Sequence, residues 1–203
     1  MNRKLELKLI ERVKKDPNNL KNIREQTEAI CLEAVKISRH ALQYVNNQTE
    51  EICLAAIEHD VASIEYIKDK TPAICLAAVK QDGNALYYIK NKTEEMCLIG
   101  VKHDGKYLCY VENQTDNICI EALKNNFNGA IRLIDIKEKS TAIIVLKASL
   151  QHMKNKIILT EILEKFNEDK EILDFYTKHN IWKYVDLSKV KFNDNLIQYG
   201  MTI

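Results

Sequence analysis

Apolar and polar residues follow one another along this chain in a pattern that returns every 22 residues. Thr27, Thr49, Thr71, Thr93 and Thr115 mark the period, and Cys31, Cys53, Cys75, Cys97 and Cys119 trail them at a constant distance. With threonine counted as position 1, apolar residues fall at positions 4, 5, 6, 8 and 9, a wide stripe of helical period. The threonine suits the head of that helix, because its hydroxyl accepts from the free amides of the first turn. Pro72 occupies the first helical position, where a missing N–H costs nothing. Glu28, Glu50, Glu94 and Asp116 fill the same slot and favour the positive end of the helix dipole. At the other end, Asp82-Gly83 and Asp104-Gly105 predict termination through a left-handed glycine.

A second apolar group stands at positions 15, 16, 18 and 19, as in Ala41-Leu42 and Tyr44-Val45, and predicts a second short helix. Helices of about nine residues are marginal in isolation and need packing partners. The predicted fold is therefore all-α: an α-solenoid of tandem helical hairpins with a C-terminal helical cap. Residues 1–26 form an N-terminal capping half-repeat, with Leu9, Ile10 and Val13 before a break at Asp16-Pro17-Asn18-Asn19 and Leu20 and Ile23 after it. Residues 27–140 hold five tandem repeats. The period slips after Thr115: Ala130-Ile131 comes one residue late and Ser140-Thr141-Ala142-Ile143 three late. Residues 141–203 keep helical patterns, Ile157 to Phe166 and Glu171 to Lys178, without the repeat. They are expected to cover the last unit within the same domain. Val190 to Ile197 fits either a short helix or a hairpin.

Composition agrees with helices. The 203 residues include 5 glycines and 2 prolines, where average usage gives roughly 24 of the two together, so a sandwich, barrel or disordered linker is excluded. The net charge is +1, but it is unevenly placed: +4 over residues 1–26, −5 over 27–136 and +2 over 137–203. An acidic repeat array argues against a nucleic-acid groove. The apolar runs, such as Ala142 to Leu146, fall far short of the ~20 residues of a membrane span, and the charged opening Met-Asn-Arg-Lys-Leu-Glu-Leu-Lys lacks a signal-peptide core. A cytoplasmic location is expected.

Three phrases carry a resemblance: Gln-Thr-Glu-Ala-Ile-Cys-Leu-Glu-Ala-Val-Lys at 26–36, Lys-Thr-Pro-Ala-Ile-Cys-Leu-Ala-Ala-Val-Lys at 70–80 and Gln-Thr-Asp-Asn-Ile-Cys-Ile-Glu-Ala-Leu-Lys at 114–124. Over about residues 20–136 the chain resembles a 22-residue helical repeat family, a domain of unknown function found in giant DNA viruses and some bacteria. The resemblance implies a viral or bacterial origin, with the host cytoplasm as the location if viral, and an interaction role. It implies no catalytic residues and no ligand.

The six cysteines do not suggest a metal or disulfide site. Equivalent positions in packed helical units lie about 8–10 Å apart, beyond the roughly 7 Å that a disulfide tolerates between Cα atoms. No Cys-x-x-Cys pair is present, and the cysteines sit on the apolar stripe as small hydrophobes. Cys109, at position 17, is the exception and is expected at the surface. His59 and His103 share position 11 but stand two units apart. Tyr44, Tyr66, Tyr88 and Tyr110 are expected to bury their rings between units and bond their hydroxyls at the edge. Glycine-rich phosphate loops, nucleophile turns and carboxylate–histidine pairs are absent, which points to no enzyme, no cofactor and no small-molecule substrate.

The expected function is a non-enzymatic scaffold that binds a protein partner, plausible for a viral or bacterial protein acting on a host component. On a helical wheel, positions 7, 10 and 11 lie opposite the apolar stripe. Lys80, Gln81, Ile99, Lys102 and His103 are the central members of that face and the candidate partner-binding residues. The alternatives are a nucleic-acid-binding helical repeat and a self-associating structural protein.

Overall fold

A computed structural model describes residues 2–151, 156–190, 196 and 199. The chain is all-helical, and no strand occurs among the described residues. The α-helices are α1 (Arg3–Lys15), α2 (Glu28–Val35), α3 (Glu50–His59), α4 (Pro72–Gln81), α5 (Glu94–His103), α6 (Asp116–Asn125), α7 (Phe127–Ala130), α8 (Lys139–Gln151), α9 (Lys156–Phe166) and α10 (Lys170–Lys178). From α1 to α5 each helix is followed by a six-residue 3-10 segment: Pro17–Asn22, Arg39–Tyr44, Val61–Tyr66, Gly83–Tyr88 and Gly105–Tyr110. Consecutive α-helices from α1 to α6 contact one another, and so do consecutive 3-10 segments. The expected second α-helix is thus a tighter turn. Six residues complete two turns of 3-10 helix, and the i and i+3 side chains then eclipse one another, which places Leu86 (position 16) and Ile89 (position 19) together in the core.

All five threonines cap as expected. Ile30, Ile52, Ile74, Met96 and Ile118 donate their amides to the threonine hydroxyl at 3.2–3.5 Å. The helix exit differs from expectation. Gly83 and Gly105 are not left-handed; each is buried where a Cβ would stand 2.6 Å from the Gly100 carbonyl and 2.2 Å from the Ala122 carbonyl, respectively. These glycines permit close approach of the next α-helix. The α-helix is ended instead by the preceding aspartate, which is extended and caps the following turn: Asn84 donates to Asp82 at 2.8 Å, Ala62 to Asp60 at 2.9 Å and Lys106 to Asp104 at 3.0 Å.

The leading segment holds both a helix and a 3-10 turn, a whole unit rather than half of one, in register with Leu20, Ile23 and Gln26 at positions 16, 19 and 22. Its positions 4 and 8 are Lys8 and Arg12, both exposed. In later units these positions are the buried Ile30 and Ala34. Position 8 meets the previous unit, since a Cβ on Gly100 would stand 2.3 Å from Leu86 Cδ1. α1 therefore presents charges at the position where the later units present a buried small side chain.

The late slip has a structural cause. After α6 the chain makes an α-turn, α7, in place of a 3-10 segment, and the wider turn takes up the extra residue. Thr141 is buried and donates to Asp116, so α8, which packs on α6, takes the place of the next unit helix. Beyond it, α9 and α10 contribute Leu159, Ile162, Leu163, Ile172 and Tyr176 to the same core. The short turn Leu187–Lys189 follows, and most of the segment expected as a helix or hairpin lies outside the described residues.

The cysteine series is buried at all five positions, whereas Cys109 is exposed; all six thiols are free. Burial pushes the Cys31 and Cys119 thiols up to about 11. Ellman-type titration of the native protein should therefore label Cys109 quickly and the other five only after denaturant is added; prompt labelling of several thiols would contradict the packing. Because these two folded-state thiols hold their protons more tightly than in the unfolded chain, their contribution to stability is present below about pH 9 and is lost as the pH rises towards 11. Denaturant midpoints measured across that interval should fall.

Candidate interaction surface

Two sets of residues separate in each unit: those that hold one unit to the next, and those left facing solvent. The first set includes three side chains to which the sequence reading assigned no bridging role. Gln48, at position 22, donates its amide to the carbonyls of Leu42 at 2.9 Å and Tyr66 at 3.0 Å, while its Oε1 accepts from the Lys68 amide at 2.9 Å. Gln26 does the same with Leu20, Tyr44 and Asn46. Gln114 bonds Leu133 and Asp135, each one residue late, in step with the slip noted above. One primary amide thus satisfies backbone groups of two units at once, using both its donor and acceptor ends. The recurrence of glutamine before threonine was the available signal.

A second bridge runs along the helix heads. Thr27, Thr49 and Thr115 donate their hydroxyls to Glu6, Glu28 and Glu94 of the preceding unit at 2.6, 2.9 and 2.8 Å. Each threonine therefore accepts from its own helix and donates to its neighbour. Pro72 takes the acceptor's place opposite Thr93 and breaks the row.

The candidate residues lie on α4 and α5, and all but Ile99 stand in the last turn of their helix. Lys80, Gln81, Lys102 and His103 are exposed, as are their equivalents Glu58 and His59. Ile99 is half-buried and packs against the core, so position 7 is a shoulder of the apolar stripe rather than its opposite. Ile37, by contrast, is 44% exposed. Gln81 donates to the Glu58 carbonyl at 3.3 Å, and His103 Nε2 lies 3.2 Å from the Lys80 carbonyl. Position 11 thus reaches back to the last turn of the preceding helix and brings His103 to Lys80. At position 10, Lys80 and Lys102 have no such tether among the described residues, whereas Lys124 pairs with Glu121 at 3.7 Å.

The opposite edge is aromatic. Tyr44, Tyr66, Tyr88 and Tyr110 are half-buried, with Tyr66 OH 2.9 Å from His40 Nδ1 and Tyr110 OH 3.5 Å from Asn84 Oδ1. Tyr87, 65% exposed, sits edge-on to Tyr88 and Tyr110. Burial raises the Tyr107 and Tyr110 phenols above their ordinary range. Among the described residues, no three of His, Cys, Asp and Glu are grouped to hold a metal ion, and no helix is long and apolar enough to cross a membrane. Comparisons with protein-family models, with curated proteins and with solved structures give no match.

The glutamine bridge has a measurable worth. Gln48→Met keeps the side-chain length but takes away the partner of the Tyr66 carbonyl and of the Lys68 amide, while the Leu42 carbonyl keeps the Val45 amide, and it should destabilise the protein by about 1–3 kcal/mol in urea unfolding. An unchanged midpoint would show that water replaces the amide at no cost.

Proposed function

We propose that this chain is an α-solenoid of 22-residue units that acts without catalysis, binding a protein partner through the exposed helix face at positions 10 and 11. The observation that carries this reading is the contrast within the unit. Positions 1, 4, 5, 8 and 16 repeat with little change, Thr, Ile, Cys, Ala and Leu in most units; position 10 adds an exposed row of lysines broken by Glu58, and position 11 beside it varies as Ile, His, Gln, His, Asn. A constant frame that presents varied side chains in a row is how repeat proteins build extended recognition surfaces. The resemblance to a repeat family of giant DNA viruses and some bacteria supports an interaction role and, with it, a viral or bacterial protein meeting a host component in the cytoplasm.

The acidic balance of residues 27–136 weighs against the nucleic-acid reading, since phosphate contacts draw on a basic surface. Lys8 and Arg12 at the outer face of the leading unit weigh against indefinite self-association at that end.

Charge reversal at the untethered positions separates recognition from folding. Lys80→Glu with Lys102→Glu should shift stability by no more than ~0.5 kcal/mol yet lose capture of the protein that wild type retains in affinity purification from the native host. Retention of the same protein by the double variant would move the binding surface to the aromatic edge or the C-terminal helices.

A further inference from the structure

The glutamine bridge is missing from two successive junctions, and the residues that replace it assemble an unassigned pocket. At position 22 the second and third units carry Lys70 and Lys92 in place of Gln26, Gln48 and Gln114. A lysine donates but cannot accept. The amide of Lys90, whose counterparts on Asn46, Lys68 and Asp135 donate to a glutamine oxygen, finds no acceptor among the described residues. Beside it lies an open cavity of about 310 Å³ lined by Lys68, Lys70 and Lys90, with Cys75, Tyr88 and Asn91, and with no carboxylate among its lining residues. Lys70 donates to the Ile67 carbonyl at 2.9 Å, and Lys68, which stands between this cavity and the next one along, donates to the Val45 carbonyl at 3.0 Å; each ammonium keeps further N–H donors. Asp69, between them in sequence, does not line the cavity and acts on the Cys53 thiol of the preceding unit.

We propose that the Lys68–Lys70–Lys90 cavity is a binding site for an oxyanion of the phosphate class, in which an anion oxygen takes the place of the glutamine Oε1 on the Lys90 amide. Three ammonium groups and one backbone N–H form the donor set, and charge-assisted bonds of this kind are the strong ones. The neighbouring junction supplies a contrast within the same chain. The cavity beside Lys92 shares Lys90 but is also lined by Glu94 and Glu112, whose carboxylates oppose an anion. The site does not depend on the partner-binding reading above. The anion is either free or carried on a side chain of a second polypeptide.

Amide-resolved NMR on the full chain tests the site, with inorganic phosphate and a phosphoserine peptide as probes and its unphosphorylated form as the control. Saturable displacement of the Lys90 amide at millimolar or lower probe supports the site; inorganic phosphate binding as well as the peptide points to a free anion, and much tighter binding of the phosphopeptide to a modified partner. Lys70→Gln restores the residue found at the other junctions, so the fold is retained, and it should weaken binding about tenfold or more. Lys92→Gln should leave binding unchanged. An unmoved Lys90 amide, equal affinity in Lys70→Gln, or a shift of the same size with the unphosphorylated peptide would each overturn the proposal.

Discussion

The structure depends on how short helices satisfy backbone groups that they cannot satisfy alone. An eight- to ten-residue α-helix and a six-residue 3-10 turn leave orphan amides and carbonyls at every end, and a 22-residue unit has four such ends. Side chains of the neighbouring units close them. Threonine accepts within its own helix and donates to the glutamate one unit back; aspartate ends the α-helix and opens the turn; glutamine joins two carbonyls and an amide across the junction. The apolar stripe supplies the driving force for association, but these polar bridges set its register and the length of the repeat.

Local departures from the pattern compensate one another. Tyr107 stands at position 15, where earlier units have Ala41, Ser63 and Ala85. The larger ring comes with glycine at Gly83 and Gly100, and a Cβ on Gly83 would lie 2.8 Å from Tyr107 Cδ2. Volume added at Tyr107 is removed at Gly83, while Gly100 makes room for Leu86, as close-packed interiors demand. The one-residue slip after α6 is absorbed in the same way, by a wider turn and by a Gln114 bridge displaced by one residue. Substitution of Gln by Lys70 is a departure with no compensating acceptor for the Lys90 amide among the described residues.

The exposed faces divide the same way. One face is varied and charged, with Lys80 and Lys102 untethered; the other is aromatic around Tyr87 and Tyr110. Position 11, expected to be free, is shared between solvent and the preceding carbonyl. Gln81 and His103 thus help hold the frame while remaining exposed, whereas Asn125, at the same position, bonds Glu121 within its own helix.

Periodicity alone gave the helix heads, the buried Ile74, Cys75, Ala78 and Val79, and the slip near Ala130, because N-capping and burial are one-unit properties that the order of residues records directly. It also placed Lys80, Gln81, Lys102 and His103 at the surface. The 3-10 character of the second segments, the role of Gly83 and Gly105 in close approach, the completeness of the leading unit and the cavity at Lys70 were legible only with the units in contact. The close approaches and the cavity are relations between residues some 17 to 23 apart, such as Gly83 and Gly100 or Lys68 and Val45. The spacing of residues names both partners of such a pair, but only the packed junction brings them within bonding distance.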